Sequence, residues 1–256
     1  MNQSTAMIAL GGNSIAPKGG VNDIQEQFSR TRKAIKGLSH FISKGYNLCL
    51  NHGNGPQVGN ELMRMELSKD VVPPLPLGVC VASTQGSIGY MIQQSLQNKL
   101  RKMKIDREVV TMISQVLVKD DDHSFKTPHK FVGNRYNKTE SDELRKEYGW
   151  TFKEQDINEY RRVVPSPMPG YLMHGKSIKA LVDRGTIVIA TGGGGIPVYN
   201  DSDGNITGLD AVIDKDYSAA KMGRIIRAQE LWIITDIDCV YVGFGSAKQK
   251  RINTIK

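Results

Sequence analysis

Three glycine-rich turns, each preceded by a short apolar run, constrain the fold more than any other feature of this chain. The turns are residues 11–13, 52–56 and 191–195, and the apolar runs are residues 6–10, 46–50 and 186–190. Glycine lacks a Cβ, so its N–H group can approach an anion closely, and the N-terminus of a following helix adds partial positive charge. Open α/β sheets bind ligands beyond the carboxyl ends of their strands. Each turn alone is also typical of an ordinary strand-to-helix connection, but the three together predict a phosphate-binding crevice.

Composition narrows the class of protein. The 256 residues include 39% hydrophobic and 23% charged residues, which is ordinary for a soluble globular domain or a pair of lobes. The net charge of +8 fits an anionic substrate, and no basic stripe with interleaved aromatic residues indicates nucleic acid. Three widely spaced cysteines, no signal pattern and no apolar run of membrane-spanning length predict a cytoplasmic protein without a membrane segment.

Strand-like and helix-like stretches alternate, which predicts a mainly parallel sheet covered by helices. We expect strands at residues 6–10, 47–50, 109–118, 186–190 and 231–235, the last of them buried. We expect helices at residues 24–44, 58–68, 83–103, 177–183 and 215–227. Residues 120–160 differ from the rest of the chain in composition. Charged residues are frequent there, and Trp150 and Phe152 are the main hydrophobic anchors. We interpret this segment as an insertion, which is either a lid over the site or a passive surface excursion.

One segment matches the P-loop pattern: Gly170 to Ser177 reads GYLMHGKS. A P-loop follows directly on a strand, whereas Pro165, Pro167 and Pro169 separate this segment from the preceding apolar pair. The bulky apolar residues between the two glycines are better suited to packing. We therefore expect Lys176 and Ser177 to be ordinary residues in the first turn of a helix.

Phosphoryl transfer needs positioning and charge neutralisation, so lysines beside carboxylates are the natural candidates for its chemistry. Asp214, Lys215 and Asp216 stand at a predicted helix start, where an acidic residue also serves as a helix cap. Lys215, between two acids, is placed to be held toward a phosphate. Lys130, in the charged insertion, reads on its own as a solvated side chain.

Longer motifs resemble carbamate kinases of the amino acid kinase family. They are GGN at residues 11–13, HGNGPQVG at 52–59, STQGSIGY at 83–90, YRRVVPSP at 160–167, TGGGGIP at 191–197, AVIDKD at 211–216 and TDID at 235–238. The resemblance runs to about residue 249. It implies a three-layer αβα sandwich around a mainly parallel open sheet, with a protruding subdomain. The implied divisions are a carbamate-binding lobe (1–119), the protruding subdomain (120–160) and a nucleotide-binding lobe (161–256).

The same resemblance implies a reversible phosphoryl transfer between ATP and carbamate, giving ADP and carbamoyl phosphate. It implies catalytic roles for Lys130, Lys215 and Asp216, with Asp216 orienting the lysines. It implies that Gly11, Gly12, Asn13, Asn54, Gly55, Gly193 and Gly194 bind the reacting groups. Asp236 and Tyr241 would belong to the nucleotide pocket, and Mg²⁺ would arrive with the nucleotide, since no metal-ligand spacing is visible. Carbamate carries an anionic oxygen, so His52 and His123 are interpreted as structural or solvent-facing rather than as general bases.

The family pattern continues beyond the counterpart of Lys256 with a lysine-bearing motif, Gly-x-Met-x-Pro-Lys, that this sequence does not contain. We therefore expect exposed apolar surface in the nucleotide lobe and impaired activity. The alternative is a non-catalytic protein that binds nucleotide or carbamoyl phosphate. Another kinase of the same superfamily is disfavoured by residues 160–167 and by the charged insertion. The resemblance also implies a homodimer, with a role in arginine metabolism whose direction the sequence does not indicate.

Overall fold

The computed structural model describes residues 3–16, 23–235, 239–243, 245–246 and 248–254. The strands are β1 (Thr5–Leu10), β2 (Asn47–His52), β3 (Val109–Thr111), β4 (Gln115–Leu117), β5 (Lys130–Tyr136), β6 (Phe152–Asp156), β7 (Glu159–Val164), β8 (Tyr171–Leu172), β9 (Ile187–Ile189), β10 (Ile196–Asn200), β11 (Ile206–Gly208), β12 (Glu230–Ile234), β13 (Val240–Val242) and β14 (Lys250–Ile252). The helices are α1 (Gly12–Ile15), α2 (Ile24–Lys36), α3 (Ser39–Ser43), α4 (Gly55–Ser68), α5 (Leu77–Met103), α6 (Lys138–Tyr148), α7 (Gly175–Asp183) and α8 (Lys215–Ile225). Short 3₁₀ turns lie at His123–Phe125 and Gly192–Gly194.

The central sheet has the strand order β12-β1-β2-β9-β3, and all its neighbouring strands run parallel. Strands β1 and β2 are buried along their whole length, which explains their near-continuous apolar sequence. The parallel arrangement brings the carboxyl ends of β1, β2, β9 and β12 to one edge. The three glycine-rich turns of the sequence therefore meet at that edge.

Two hydrophobic clusters cover the two faces of this sheet. One joins Ile8, Leu10 and Leu50 to side chains from α2, α3 and α5, and the other joins Met7, Cys49 and Val188 to side chains from α7 and α8. Successive strand residues point to opposite faces, so each strand contributes to both clusters. The predicted three-layer αβα arrangement around a parallel sheet is confirmed.

A second, mixed sheet has the order β11-β10-β4-β8. A third sheet, β5-β7-β6, is antiparallel and carries α6, whose first turn has a capping box formed by Asn137 and Glu140. Trp150 and Phe152 are buried there, as the sequence indicates. This three-stranded unit spans residues 130–164 and overlaps the segment 120–160 that the resemblance implies as a protruding subdomain; we use the name protruding subdomain for it below.

A contact between two glycines holds the protruding subdomain against α4. A Cβ built on Gly59 of α4 would lie 1.9 Å from the Cα of Gly133 in β5, and Gly133 has φ +71°. No side chain fits between these two backbones. The contact fixes how closely β5, and with it Lys130, approaches the main body.

Three sequence expectations need correction. The predicted helix 24–44 is interrupted at Gly37 and Leu38, where the Ser39 hydroxyl donates to the Lys36 carbonyl at 2.7 Å. The predicted strand 109–118 divides into β3 of the central sheet and β4 of the second sheet, and residues 112–114 between them belong to neither strand.

The prediction that residues 231–235 form a buried strand is wrong. Leu231, Trp232 and Ile233 are 45%, 51% and 51% exposed, because β12 pairs only with β1 and is an edge of the sheet in the described chain. Among the helices that the structure describes, none combines the length and the apolar character needed to cross a bilayer.

The glycine contact leads to a stability prediction. We expect Gly59→Ala to lower the melting temperature by several degrees, because overpacking against a backbone costs roughly 1–3 kcal/mol and 1 kcal/mol is worth about 2–4 °C in a chain of this size. Gly86→Ala in α5 is the matched control, since a Cβ there meets nothing within 4 Å. It should be neutral or stabilising by up to about 1 kcal/mol. Calorimetry showing equal shifts for the two variants would contradict this account of the contact.

Candidate active site

The carboxyl ends of four parallel strands open onto a cavity of about 270 Å³. The turn after β1 contributes Gly11 and Gly12, the turn after β2 contributes residues 53–55, the turn after β9 contributes Gly193, and Thr235 follows β12. Backbone atoms form much of this wall because the turns contain so many glycines. The predicted crevice is therefore present, at the edge where parallel sheets bind ligands.

Five charged residues also line the cavity, beside the apolar Pro56, Phe131 and Ile213. The start of α8 contributes Asp214, Lys215 and Asp216, and the protruding subdomain contributes Lys130 and Arg161. Residues far apart in sequence are thus gathered around one space. Of the predicted catalytic residues, Lys130, Lys215 and Asp216 all line it.

Each lysine of the cavity is paired with an aspartate. Lys130 Nζ lies 2.5 Å from Asp214 Oδ2, and Lys215 Nζ lies 2.6 Å from Asp216 Oδ1. Asp216, for which the resemblance implies an orienting role, therefore contacts Lys215, whereas Lys130 contacts Asp214. Asp214, which the sequence suggests only as a helix cap, contacts the lysine from the protruding subdomain.

Asp214 has both functions at once. Its Oδ1 accepts from the Asp216 N–H at 2.9 Å, which caps α8, while its Oδ2 binds Lys130. Burial raises the pKa of Asp214, but the Lys130 charge and its hydrogen bond outweigh burial, so the pKa lies below its ordinary value. The stability from this pair is present above the ordinary aspartate pKa and is lost as the pH falls through the lowered one, so the ion pair is intact at neutral pH.

The glycine N–H groups differ in what they can bind. The Gly11 N–H donates to the Ile234 carbonyl at 2.8 Å, and the Gly194 N–H donates to the Thr191 carbonyl at 3.0 Å. The N–H groups of Gly12, Gly55 and Gly193 have no acceptor among the described residues. Because Gly12 and Gly55 each begin a helix, such groups are the ones that an anion satisfies.

A buried hydrogen-bond network holds the turn after β9. The Gln85 side-chain amide donates to the carbonyls of Gly192 and Ser114 at 3.0 and 3.1 Å, and its oxygen accepts from the Ser114 N–H at 2.8 Å. The Ser114 hydroxyl in turn accepts from the Thr191 N–H. Gln85 is 1% exposed, so each of these groups depends on the network for its partner.

Asn54 supports the same turn from the other side. The Asn54 side-chain amide donates to the Thr84 hydroxyl at 2.9 Å. Gly193, which has φ +62°, packs against the Asn54 side chain. A Cβ on Gly193 would lie 2.3 Å from Asn54 Nδ2, so this position requires glycine on both conformational and steric grounds.

His52 lies beneath the site and is 1% exposed. Burial lowers the pKa of His52 to about 4, against a weaker opposing effect of its hydrogen bond to the Gly53 carbonyl. The ring is therefore neutral at physiological pH and packs against Gly192. This placement agrees with the structural role inferred for His52, and His123 is exposed beside Thr127.

The remaining predicted residues are placed as follows. Asn13 belongs to α1, but its side chain is not described, and Asp236 lies outside the described residues. Tyr241 lies in β13 and is not among the residues that line the cavity. Lys176 and Ser177 are exposed in the first turn of α7 and also do not line it, so the P-loop pattern forms no part of this site.

Known proteins resemble this chain over nearly its whole length. The amino acid kinase family profile matches residues 4–256. A carbamate kinase from Pyrococcus horikoshii is 41% identical over 252 residues, which cover 98% of this chain and 80% of the relative. Carbamate kinase 2 of Staphylococcus epidermidis is also 41% identical, over 98% of this chain and 80% of its own length.

This chain belongs to the carbamate kinases of the amino acid kinase family. Solved carbamate kinase structures agree with this assignment. The Giardia lamblia carbamate kinase bound to citric acid is 35% identical with a TM-score of 0.89, covering 93% of this chain and 77% of that one. The same enzyme bound to AMP-PNP has a TM-score of 0.84 at 33% identity, covering 98% of this chain and 79% of that one. The resemblance recognised in the motifs is confirmed.

Three side chains at the site of this carbamate kinase chain are not identified by the sequence patterns. Asp214 has the pattern of a helix cap, Gln85 is one residue of the STQGSIGY motif, and Arg161 is one residue of the YRRVVPSP motif. The first could have been found by asking which carboxylate pairs with Lys130. The other two depend on tertiary contacts that spacing does not reveal.

The buried His52 leads to a pH prediction. The unfolded chain binds a proton near pH 6.5, whereas folded His52 binds one only near pH 4, so stability falls as the pH drops through this window. We expect a loss of about 2 kcal/mol between pH 7 and pH 5, measured by urea unfolding. His52→Gln should show a clearly smaller dependence, whereas the exposed His123→Gln should retain the full one. Equal pH dependence in wild type and His52→Gln would refute this assignment.

Proposed function

We propose that this chain catalyses the reversible transfer of a phosphoryl group between ATP and carbamate, giving ADP and carbamoyl phosphate. The observation that carries the proposal is the pair of lysine–aspartate contacts at the glycine-lined cavity, in a chain of the carbamate kinase family. The cavity lies at the strand ends where the phosphates of a nucleotide are expected in an α/β fold.

In the forward direction, an anionic carbamate oxygen forms a bond to the γ-phosphorus while the bond to the β,γ-bridging oxygen breaks. The electron pair of the broken bond leaves with ADP. Since the attacking oxygen already carries negative charge, no base is required, and the neutral, buried His52 has no proton-transfer task. Catalysis then depends on positioning and on stabilising the charge of the transferring group.

We assign that stabilisation to Lys130 and Lys215 and to the N–H groups of Gly12, Gly55 and Gly193. Asp214 and Asp216 keep the two ammonium groups in place. Gly11 and Gly194 shape the turns, because their own N–H groups are engaged in backbone hydrogen bonds. Asn13, Asp236 and Tyr241 keep the roles in phosphoryl and nucleotide binding that the family resemblance implies.

We assign no step to a metal held by the protein itself. Both aspartates of the cavity bind lysines, and the described residues include no cluster of three or more His, Cys, Asp or Glu side chains suited to a metal ion. Magnesium is proposed to enter with the phosphates of ATP or ADP, where it supplies further charge neutralisation.

We further propose a cytoplasmic homodimer. Cys49, Cys80 and Cys239 are free thiols, which fits a reducing compartment. The long helix α5 exposes Val79 and Tyr90, which are apolar surface that a second copy could cover. Size-exclusion chromatography with light scattering should give twice the mass of the 28.3 kDa chain, and a monomer mass at micromolar concentration would contradict the dimer.

The direct test is a coupled assay of ATP formation from ADP and carbamoyl phosphate. We expect wild type to turn over and Lys215→Ala to lose roughly 10²–10³-fold in kcat, the usual effect of removing one charge-stabilising group. Lys176→Ala is the matched control, because it removes the same charge from the P-loop-like segment and should leave the rate unchanged.

Three results would contradict parts of the proposal. Tight ADP binding by calorimetry without turnover would make the chain a binding protein rather than an enzyme. Loss of activity in Lys176→Ala, with Lys215→Ala unaffected, would move the phosphate site to residues 170–177. Turnover of another acceptor in preference to carbamate would change the substrate.

A further inference from the structure

Arg161 is a third cation at the cavity. It lies on β7, the middle strand of the protruding subdomain, and lines the cavity together with Lys130 and Lys215. The adjacent Arg162 does not line the cavity, and its guanidinium lies 3.9 Å from the centre of the Trp150 ring. Because neighbouring residues of a strand point to opposite faces, the side chains of Arg161 and Arg162 lie in different environments.

Each lysine of the cavity has a carboxylate partner, whereas Arg161 has none among the described residues. Its Nη1 donates to Gln155 Oε1 at 3.2 Å, its Nη2 donates to the Gly133 carbonyl at 3.0 Å, and its guanidinium lies over the Phe131 ring. All these contacts are uncharged, and no ion pair of Arg161 occurs among the described residues. Three cationic and two anionic side chains therefore line the cavity, and the surplus positive charge belongs to Arg161.

The partly buried guanidinium of Arg161 is in an energetically unfavourable environment, and a bound anion would offset that cost. Its Nε is buried and has no acceptor among the described residues. Burial lowers the pKa of Arg161, and the nearby Arg135 lowers it further. A desolvated cation without a counter-charge is unfavourable, whereas a bidentate contact with an oxyanion is among the strongest hydrogen-bonded arrangements.

We propose that Arg161 contacts the non-nucleotide substrate, binding an anionic oxygen of carbamate or of the carbamoyl phosphate formed from it. This inference rests on the proposed function. The protruding subdomain would then contribute two groups to the reaction: Lys130, which is tied to Asp214, and Arg161, whose charge is available to the incoming anion. The Gly133 carbonyl and the Phe131 ring, both on β5, hold the guanidinium in place.

The test compares Arg161→Gln, Arg161→Lys and Arg135→Gln in the coupled assay. Arg135 is the matched control, since it lies opposite Arg161 in the β5–β7 register, forms ion pairs with Asp156 and Glu159, and does not line the cavity. We expect Arg161→Gln to raise KM for carbamoyl phosphate about 10- to 100-fold, from the loss of a charged hydrogen bond, with KM for ADP changed less than about twofold. Arg161→Lys should recover part of this loss, and Arg135→Gln should resemble wild type.

A second readout does not depend on turnover. Inorganic phosphate should raise the melting temperature of wild type and of Arg135→Gln, but much less that of Arg161→Gln. If wild type is inactive, the proposed function fails while this comparison still decides the role of Arg161. An unchanged KM for carbamoyl phosphate, an increase confined to KM for ADP, or equal effects in Arg161→Gln and Arg135→Gln would each overturn the proposal.

Discussion

The ion pair between Lys130 and Asp214 is the constraint on which the rest of the site depends. It joins the protruding subdomain to the first turn of α8, across 84 residues of sequence. Asp214 can hold Lys130 only because the α8 N-terminus fixes it through the Asp216 N–H, and Lys130 can reach Asp214 only because Gly59 and Gly133 allow β5 to lie against α4. A capping residue, a glycine contact and a partly buried lysine therefore act together.

Buried polar groups hold the turn after β9, which faces this pair. Gln85 and Ser114 satisfy the carbonyls and amides around residues 191–192, while Asn54 and Thr84 support Gly193 from below. A buried polar group without a hydrogen-bond partner is unfavourable. The turn is therefore most stable in the one arrangement that satisfies all these groups. This network therefore fixes the direction of the Gly193 N–H group, which has no acceptor among the described residues.

The sequence predicted the architecture well because its signals are local. Apolar runs ending in glycine located β1, β2 and β9, and the charge-rich stretch around Trp150 falls in the separate β5-β7-β6 sheet. It failed for β12, where an apolar run suggested burial but Leu231, Trp232 and Ile233 lie at a sheet edge, since strand order is a property of the tertiary fold. The same limit applies to the site: residue types suggested Lys130 and Lys215, but which carboxylate holds which lysine depends on how the protruding subdomain packs.

The pairing of both lysines with aspartates affects how the site handles charge. An ammonium that already has a carboxylate partner at 2.5 or 2.6 Å attracts a ground-state anion less than a free one does. Its position, however, is fixed before the reaction begins, and fixed charges stabilise a transition state without reorganisation. Among the described residues of the cavity, the groups without such partners include the three glycine N–H groups and Arg161, and we propose that these attract the anions. Under the proposed function, the lysines act mainly on the transferring phosphoryl group, and Arg161 acts mainly on the binding of the acceptor.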